Sequence, residues 1–140
     1  MNLPPVTPPD GGGRPRPTPA LPIRIHSALV NPKGPDNDPI LEKIKVENNG
    51  TKDTKLGGWS FENQDGKRQK LPADASVVAG GQAEFPAGDC YLTNTRDGKI
   101  LLKDDEDRVV DIVEYSRAEA AQQGRWIEFH EGDIMERSRL

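Results

Sequence analysis

The sequence predicts an all-β protein, a sandwich of two sheets with one short helix near the C-terminus. Three observations carry that prediction. Apolar residues recur with period two in one short segment after another, the alternation of half-buried strands and not the rhythm of a helix. Turn residues punctuate the chain at roughly the eight-to-twelve-residue spacing of a sandwich, and beyond the first 22 residues they twice form Asp-Gly, the signal of a tight hairpin, at Asp65-Gly66 and Asp97-Gly98. No helices alternate with the strands, as a parallel sheet would require.

The elements follow in order. Residues 1–22 are dense in proline and contain three consecutive glycines. Such a segment buries too little apolar surface to offset its ordering entropy, and it is read as an extended linker. In PIRIHSALV, Ile23 and Ile25 share one side while Arg24 and His26 take the other. Asn31 to Pro39 is a loop. ILEKIKVEN sets Ile40, Ile44 and Val46 on one face and Leu41, Lys43, Lys45 and Glu47 on the other. LGGWSF is a strand whose Gly57 and Gly58 leave room for a bulge or a close backbone approach. GKRQKL is its hairpin partner.

Beyond Pro72, the pieces Val77-Val78, QAEF, YLTN and GKILLK read as short strands. RVVDIVEY is apolar on both faces: Val109, Asp111, Val113 and Tyr115 on one, Val110 and Ile112 on the other. A strand covered on both sides belongs in the middle of a sheet or between layers. Ser116 and Glu119 form a capping box for a helix of about two turns, and Gly124 stands where a left-handed C-terminal residue is expected. RWIEF is a last strand that buries Trp126 together with Phe129 or Ile127. The domain is therefore expected over 23–130, with a flexible tail over 131–140.

Composition narrows the function. The 140 residues suffice for one domain. The net charge of −4 disfavours nucleic acid, whose binding depends on neutralising phosphates. One cysteine, Cys90, permits no intrachain disulfide and fits a reducing compartment. No stretch approaches the roughly 20 apolar residues of a membrane span, and the N-terminus lacks the apolar run of a signal peptide. The expected location is cytoplasmic, unless the module belongs to a larger secreted host.

Trp59 sits in the LGGWSF strand, and in a two-sheet sandwich such a Trp fills the space between the sheets. With this strand the chain resembles a known family. EKIKVENNG (Glu42 to Gly50) followed by LGGWSF (Leu56 to Phe61) resembles the lamin tail domain, with its E-x-V-x-L-x-N strand and L-x-G-W-x-L hairpin. Gly80-Gly81, Leu92-Thr93-Asn94, Ile100-Leu101-Leu102 and Val109 to Tyr115 then follow in the family's order. The likeness covers about residues 23 to 129 and is nearest to modules appended to bacterial nonspecific endonucleases and to uncharacterised bacterial proteins. It implies an immunoglobulin-like sandwich without a disulfide, a non-catalytic module, and docking to other proteins. Departures from the pattern are the PAGDCYLTN segment around Cys90 and the acidic turn DDED (Asp104 to Asp107), where glycine is common.

Reactive constellations are sparse. Asp36, Asn37, Asp38 and Glu42 gather oxygen ligands of the kind calcium takes, without EF-hand spacing; a solvated turn explains them more simply. DDED reads as an exposed hairpin turn. Cys90 could pair with His26 or His130, yet no signature frames it and a small buried hydrophobe is the better account. Asp111 reads as an acceptor of backbone hydrogen bonds at a turn or bulge. Gly11-Gly12-Gly13-Arg14 lacks the strand, lysine and helix of a phosphate loop. Edge strands offer a surface for a partner, and PIRIHSALV or KRQKL is the candidate edge.

The expectation is an interaction or tethering module without cofactor, metal or active site. It binds a protein partner or a host domain in cis, as a monomer or weak homodimer, and touches no membrane. The alternative is an auxiliary nucleic-acid-binding module of a nuclease-type host. That reading would use Lys67, Arg68 and Lys70, with Lys52, Lys55, Arg14 and Arg16 in support.

Overall fold

A computed structural model describes residues 22–33 and 41–129. Within them the chain forms ten strands and one helix. The strands are β1 (Ile23–Leu29), β2 (Lys43–Asn48), β3 (Thr54–Lys55), β4 (Ser60–Asn63), β5 (Arg68–Lys70), β6 (Ser76–Val77), β7 (Gln82–Pro86), β8 (Gly98–Lys103), β9 (Val109–Tyr115) and β10 (Ile127–Glu128); helix α1 spans Arg117–Ala120. One sheet has the order β10-β1-β2-β7 and a second the order β5-β4-β8-β9, with a two-stranded ribbon β3-β6 between them in sequence. Every pairing is antiparallel. The protein is an all-β sandwich with one short helix.

Alternation builds the core. Ile23, Ile25, Ile44 and Val46 from the first sheet are fully buried, as are Phe61, Ile100, Leu102 and Val113 from the second, and all join one cluster. Their neighbours Lys43, Lys45 and Glu47 keep partial exposure on the other face. Trp59 is 5% exposed and belongs to this core. It lies just before β4, and its carbonyl accepts from Leu71 N at 2.9 Å, extending the β4–β5 pairing by one bond. Gly57 makes the approach possible, since a Cβ there would overlap the Ala73 carbonyl oxygen, and Gly58 turns the chain with φ +83°.

Several elements differ from expectation. RVVDIVEY lies at the edge of its sheet, not in the middle. A bulge opposite the Leu102–Lys103 step shifts its register, since Leu102 pairs with Asp111 and Lys103 with Val109. Val109 is consequently exposed while Val110 and Asp111 are both buried. The apolar residues of the strand do not divide into two covered faces; the side that turns inward changes at the bulge, leaving Val109 exposed and Ile112 partly so.

PIRIHSALV is no edge, because β10 returns to cover it, whereas KRQKL does end its sheet. Tyr91 to Asn94 forms no strand; its backbone is held by side chains, described below. The helix is a single turn, Arg117–Ala120. Ser116 Oγ accepts from Glu119 N and Glu119 Oε1 accepts from Ser116 N, so the capping box forms. The helix nevertheless ends at Ala121, and Gly124, at φ +76°, instead donates to the Asn31 carbonyl at 2.6 Å. Ile127 and Phe129 are buried, but Trp126 is only half-buried, with Lys45 Nζ 4.7 Å from its ring centre.

Candidate functional site

Strand directions gather four connections at one end of the sandwich. These are the segment after β1, the β4–β5 turn, the β7–β8 connection and the region around α1. The β7–β8 connection, Ala87 to Asp97, is the longest of those described and has no ladder of its own. Its backbone groups must therefore find side-chain partners or water.

Three buried side chains supply them, each from a different strand end. Glu42, just before β2, accepts from Leu92 N at 2.9 Å through Oε1, while its carbonyl accepts from Ala87 N at 2.8 Å. Asn63, the last residue of β4, donates from Nδ2 to the Tyr91 carbonyl at 2.7 Å. The same amide's Oδ1 accepts from Asp65 N and Lys67 N, both at 2.9 Å, and shapes the Asp65-Gly66 turn. Tyr115, the last residue of β9, donates from its hydroxyl to the Thr93 carbonyl at 2.7 Å. Gly98 admits that ring, because a Cβ would overlap it. Leu92 and Cys90 plug the core beneath.

Tyr91 points the other way and is 52% exposed, one of three large hydrophobic residues exposed among those described. A ring displayed from a backbone held on both sides loses little conformational freedom when a partner covers it. Around it, Arg96 and Asp65 form an ion pair, and Asp97 Oδ1 accepts from Arg117 N at 2.8 Å, tying the connection to α1.

The residues singled out from sequence fall as follows. Asp36 and Asp38 lie outside the described residues, as do Asn37 and His130. Glu42 is turned inward and 7% exposed, its carboxylate committed to Leu92 N. Burial pushes its carboxyl up to about 7, against the pull of that single backbone bond. No group of three or more His, Cys, Asp or Glu side chains suited to a metal occurs among the described residues. Cys90 is buried, and burial pushes its thiol up to about 12, so it stays a thiol at neutral pH. His26 Nδ1 lies 2.9 Å from Ser27 Oγ.

Lys67, Arg68 and Lys70 are exposed on and beside the β5 edge. Arg68 is bound to Glu62 at 2.8 Å and to Asp107 at 2.9 Å. Glu62 also takes Lys103 at 3.0 Å, and these contacts, Lys103 first, hold its carboxyl below the usual range. The basic cluster is thus in part the counter-charge of the acidic DDED turn. That turn is internally bonded, with Asp104 accepting from Glu106 N, Arg108 N and Arg108 Nε, each at 2.9 Å.

Asp111 joins the sheets. It is fully buried, and its Oδ2 accepts from Ile25 N at 2.9 Å while Oδ1 accepts from Ile112 N at 2.9 Å. β10 pairs with β1 at Ser27 and Ala28, and Phe129 N reaches the His26 carbonyl. At Ile25, where β1 has its own bulge, the carboxylate of β9 takes over.

Sequence reasoning missed Asn63 and Tyr91. An Asn two residues before Asp-Gly carries a turn-capping signal, but nothing local says that its amide also holds a distant connection. No known protein-family model matches the chain, and no curated protein matches it. No helix among the described residues is long and apolar enough to cross a membrane.

Proposed function

We propose that the chain is a non-catalytic, immunoglobulin-fold interaction module that binds a protein partner, or a host domain in cis, through the loop end carrying Tyr91. The single observation behind this reading is Tyr91 itself, half in solvent on a connection pinned by Glu42, Asn63 and Tyr115. Aromatic side chains are enriched at the centres of protein interfaces, and a rigid presentation lowers the entropic cost of binding. The resemblance of EKIKVENNG, LGGWSF and VVDIVEY to lamin tail domains points the same way, towards a bacterial-type tethering module.

The alternative, an auxiliary nucleic-acid-binding module, draws on exposed Lys67 and Lys70. It is weakened by the engagement of Arg68 with Glu62 and Asp107 and by the net charge of −4.

Light scattering on the full chain, with and without a short DNA duplex at low salt, separates the two. Protein binding predicts a mass unaffected by DNA. Affinity capture with the wild type, Tyr91→Ala and Lys67→Ala/Lys70→Ala then locates the surface. A protein retained by the wild type and the double lysine variant but lost with Tyr91→Ala is the expected result. A salt-sensitive DNA complex, or equal capture by all three, would overturn the proposal.

A further inference from the structure

The connection that presents Tyr91 is fastened at its middle by a carboxyl group held out of water. Glu42 offers Leu92 N its Oε1 at 2.9 Å and Ala87 N its carbonyl at 2.8 Å, so one residue grips the connection at both ends of the stretch from Ala87 to Leu92. The titratable groups that face it are the Cys90 thiol, on the connection, and the Tyr115 phenol, at the end of β9. Both are raised first by burial and then by the charge of Glu42. Further out, Glu62 of β4 acts on Cys90 and Arg96 on Tyr115. The ion pairs found among the described residues do not include Glu42. Among the described residues the group therefore faces two weak acids, has no cation paired with it, and takes a hydrogen bond from one N–H, that of Leu92.

We propose that Glu42 is a proton-operated latch on the connection that presents Tyr91: protonated, it keeps the stretch from Ala87 to Asp97 closed against the sandwich, and loss of the proton lets it open and uncover Cys90. The consequence for binding rests on the reading of Tyr91 given above; the opening itself requires no partner.

The driving force is hydration. In the closed form the carboxyl is pushed up to about 7; in water it would return to its ordinary value of 4.5. The open form thus holds the proton less tightly. By linkage, each pH unit between those limits raises the opening constant by up to about tenfold, and the rise levels off above the upper one. The local geometry permits a local event, since the connection belongs to neither sheet and its release breaks few ladder bonds.

Cys90 is a built-in reporter, being the sole cysteine of the chain and fully buried. The test is alkylation of Cys90 by iodoacetamide in the full chain between about pH 5.5 and pH 8.5. Each rate is divided by that of an unstructured cysteine peptide at the same pH, which removes the thiolate chemistry. The expected ratio rises about 15-fold from pH 5.5 to neutrality and levels off at up to ~30-fold above it. Glu42→Gln, which keeps the shape and one acceptor, should give a flat ratio throughout. Mild urea should hardly change the rate, because a local opening exposes little surface. Tyr91→Ala should retain the wild-type profile, so undiminished partner capture by Tyr91→Ala with an intact profile sinks the binding reading and not the latch.

A flat wild-type ratio, an identical rise in Glu42→Gln, or labelling that follows global unfolding in urea overturns the latch. Should Glu42→Gln fail to fold, hydrogen exchange in the wild type decides. The Leu92 amide must lose protection across the same pH window while those of Phe61 and Leu102 keep theirs. Parallel loss at all three refutes the proposal.

Discussion

Replacing Asp111 by alanine tests how the two sheets are joined. The carboxylate is fully buried and accepts two backbone N–H groups, from Ile25 in the first sheet and from Ile112 beside it, both at 2.9 Å. Alanine removes both acceptors. The Ile112 amide stands next to the mutated residue, where local adjustment or water can reach it. The Ile25 amide cannot be served so easily, because β10 has already ended and Ile25 is itself fully buried. Leaving one buried donor unpaired costs about 1–3 kcal/mol, and hydrogen bonds to a charged acceptor contribute roughly 1.5–3 kcal/mol. The expected loss for Asp111→Ala is therefore about 3 kcal/mol. Asparagine retains one oxygen acceptor and should lose about 1–2 kcal/mol.

Equilibrium unfolding in urea, followed by tryptophan fluorescence, measures both variants. Hydrogen exchange at Ile25 adds a local readout, since its protection should fall in Asp111→Ala before that of Ile44. A loss below about 1 kcal/mol for alanine, or an asparagine variant less stable than the alanine one, would falsify the account of Asp111 as the acceptor that β10 leaves out.

Other expectations are as direct. Trp59→Ala should cost about 3–5 kcal/mol by opening a core cavity; an unchanged denaturation midpoint would refute the core assignment. Gly98→Ala drives a methyl group into the Tyr115 ring and should cost about 1–3 kcal/mol. Tyr115→Phe, which loses only the bond to the Thr93 carbonyl, should cost about 1 kcal/mol, and the reverse order in a thermal melt would contradict the packing at Gly98. Glu42 predicts the sign of a pH effect. Its folded-state value of about 7 lies above the ordinary 4.5, so its contribution to stability is complete below the lower value and is lost as pH rises to the upper one. Melting temperatures should fall between about pH 5 and pH 7 in the wild type relative to Glu42→Gln; parallel curves would show that Glu42 does not titrate there.

Period-two alternation, two Asp-Gly turns and a capping box are local properties, and they were legible because strands, hairpins and caps are decided by neighbours a few residues apart. They yielded the sandwich, the core placement of Trp59, the hairpin β4–β5 and the start of α1. They also yielded Asp111 as an acceptor at a bulge. Pattern reading failed where the partner is distant in sequence. The two-faced apolar pattern of β9 belongs to an edge strand whose bulge changes which side turns inward, and the return of β10 makes β1 internal.

The proposed contact surface was illegible for the same reason. Glu42 lies 50 residues from Leu92, Asn63 lies 28 from Tyr91, and Tyr115 lies 22 from Thr93. In sequence Glu42 looked like a neighbour of Asp36 and Asp38, and Tyr91 like part of a strand. Folding turned the one inward and the other out. The sequence by itself determined most of the strand segments, YLTN excepted, and which side of regular strands such as β1, β2 and β8 meets the core, because alternation and turn chemistry act over a few residues. Only the tertiary structure decided which strands are edges, which carboxyl group leaves water and which aromatic ring stays in it. Those choices depend on what packs across the sandwich, and burial is a property of the whole chain.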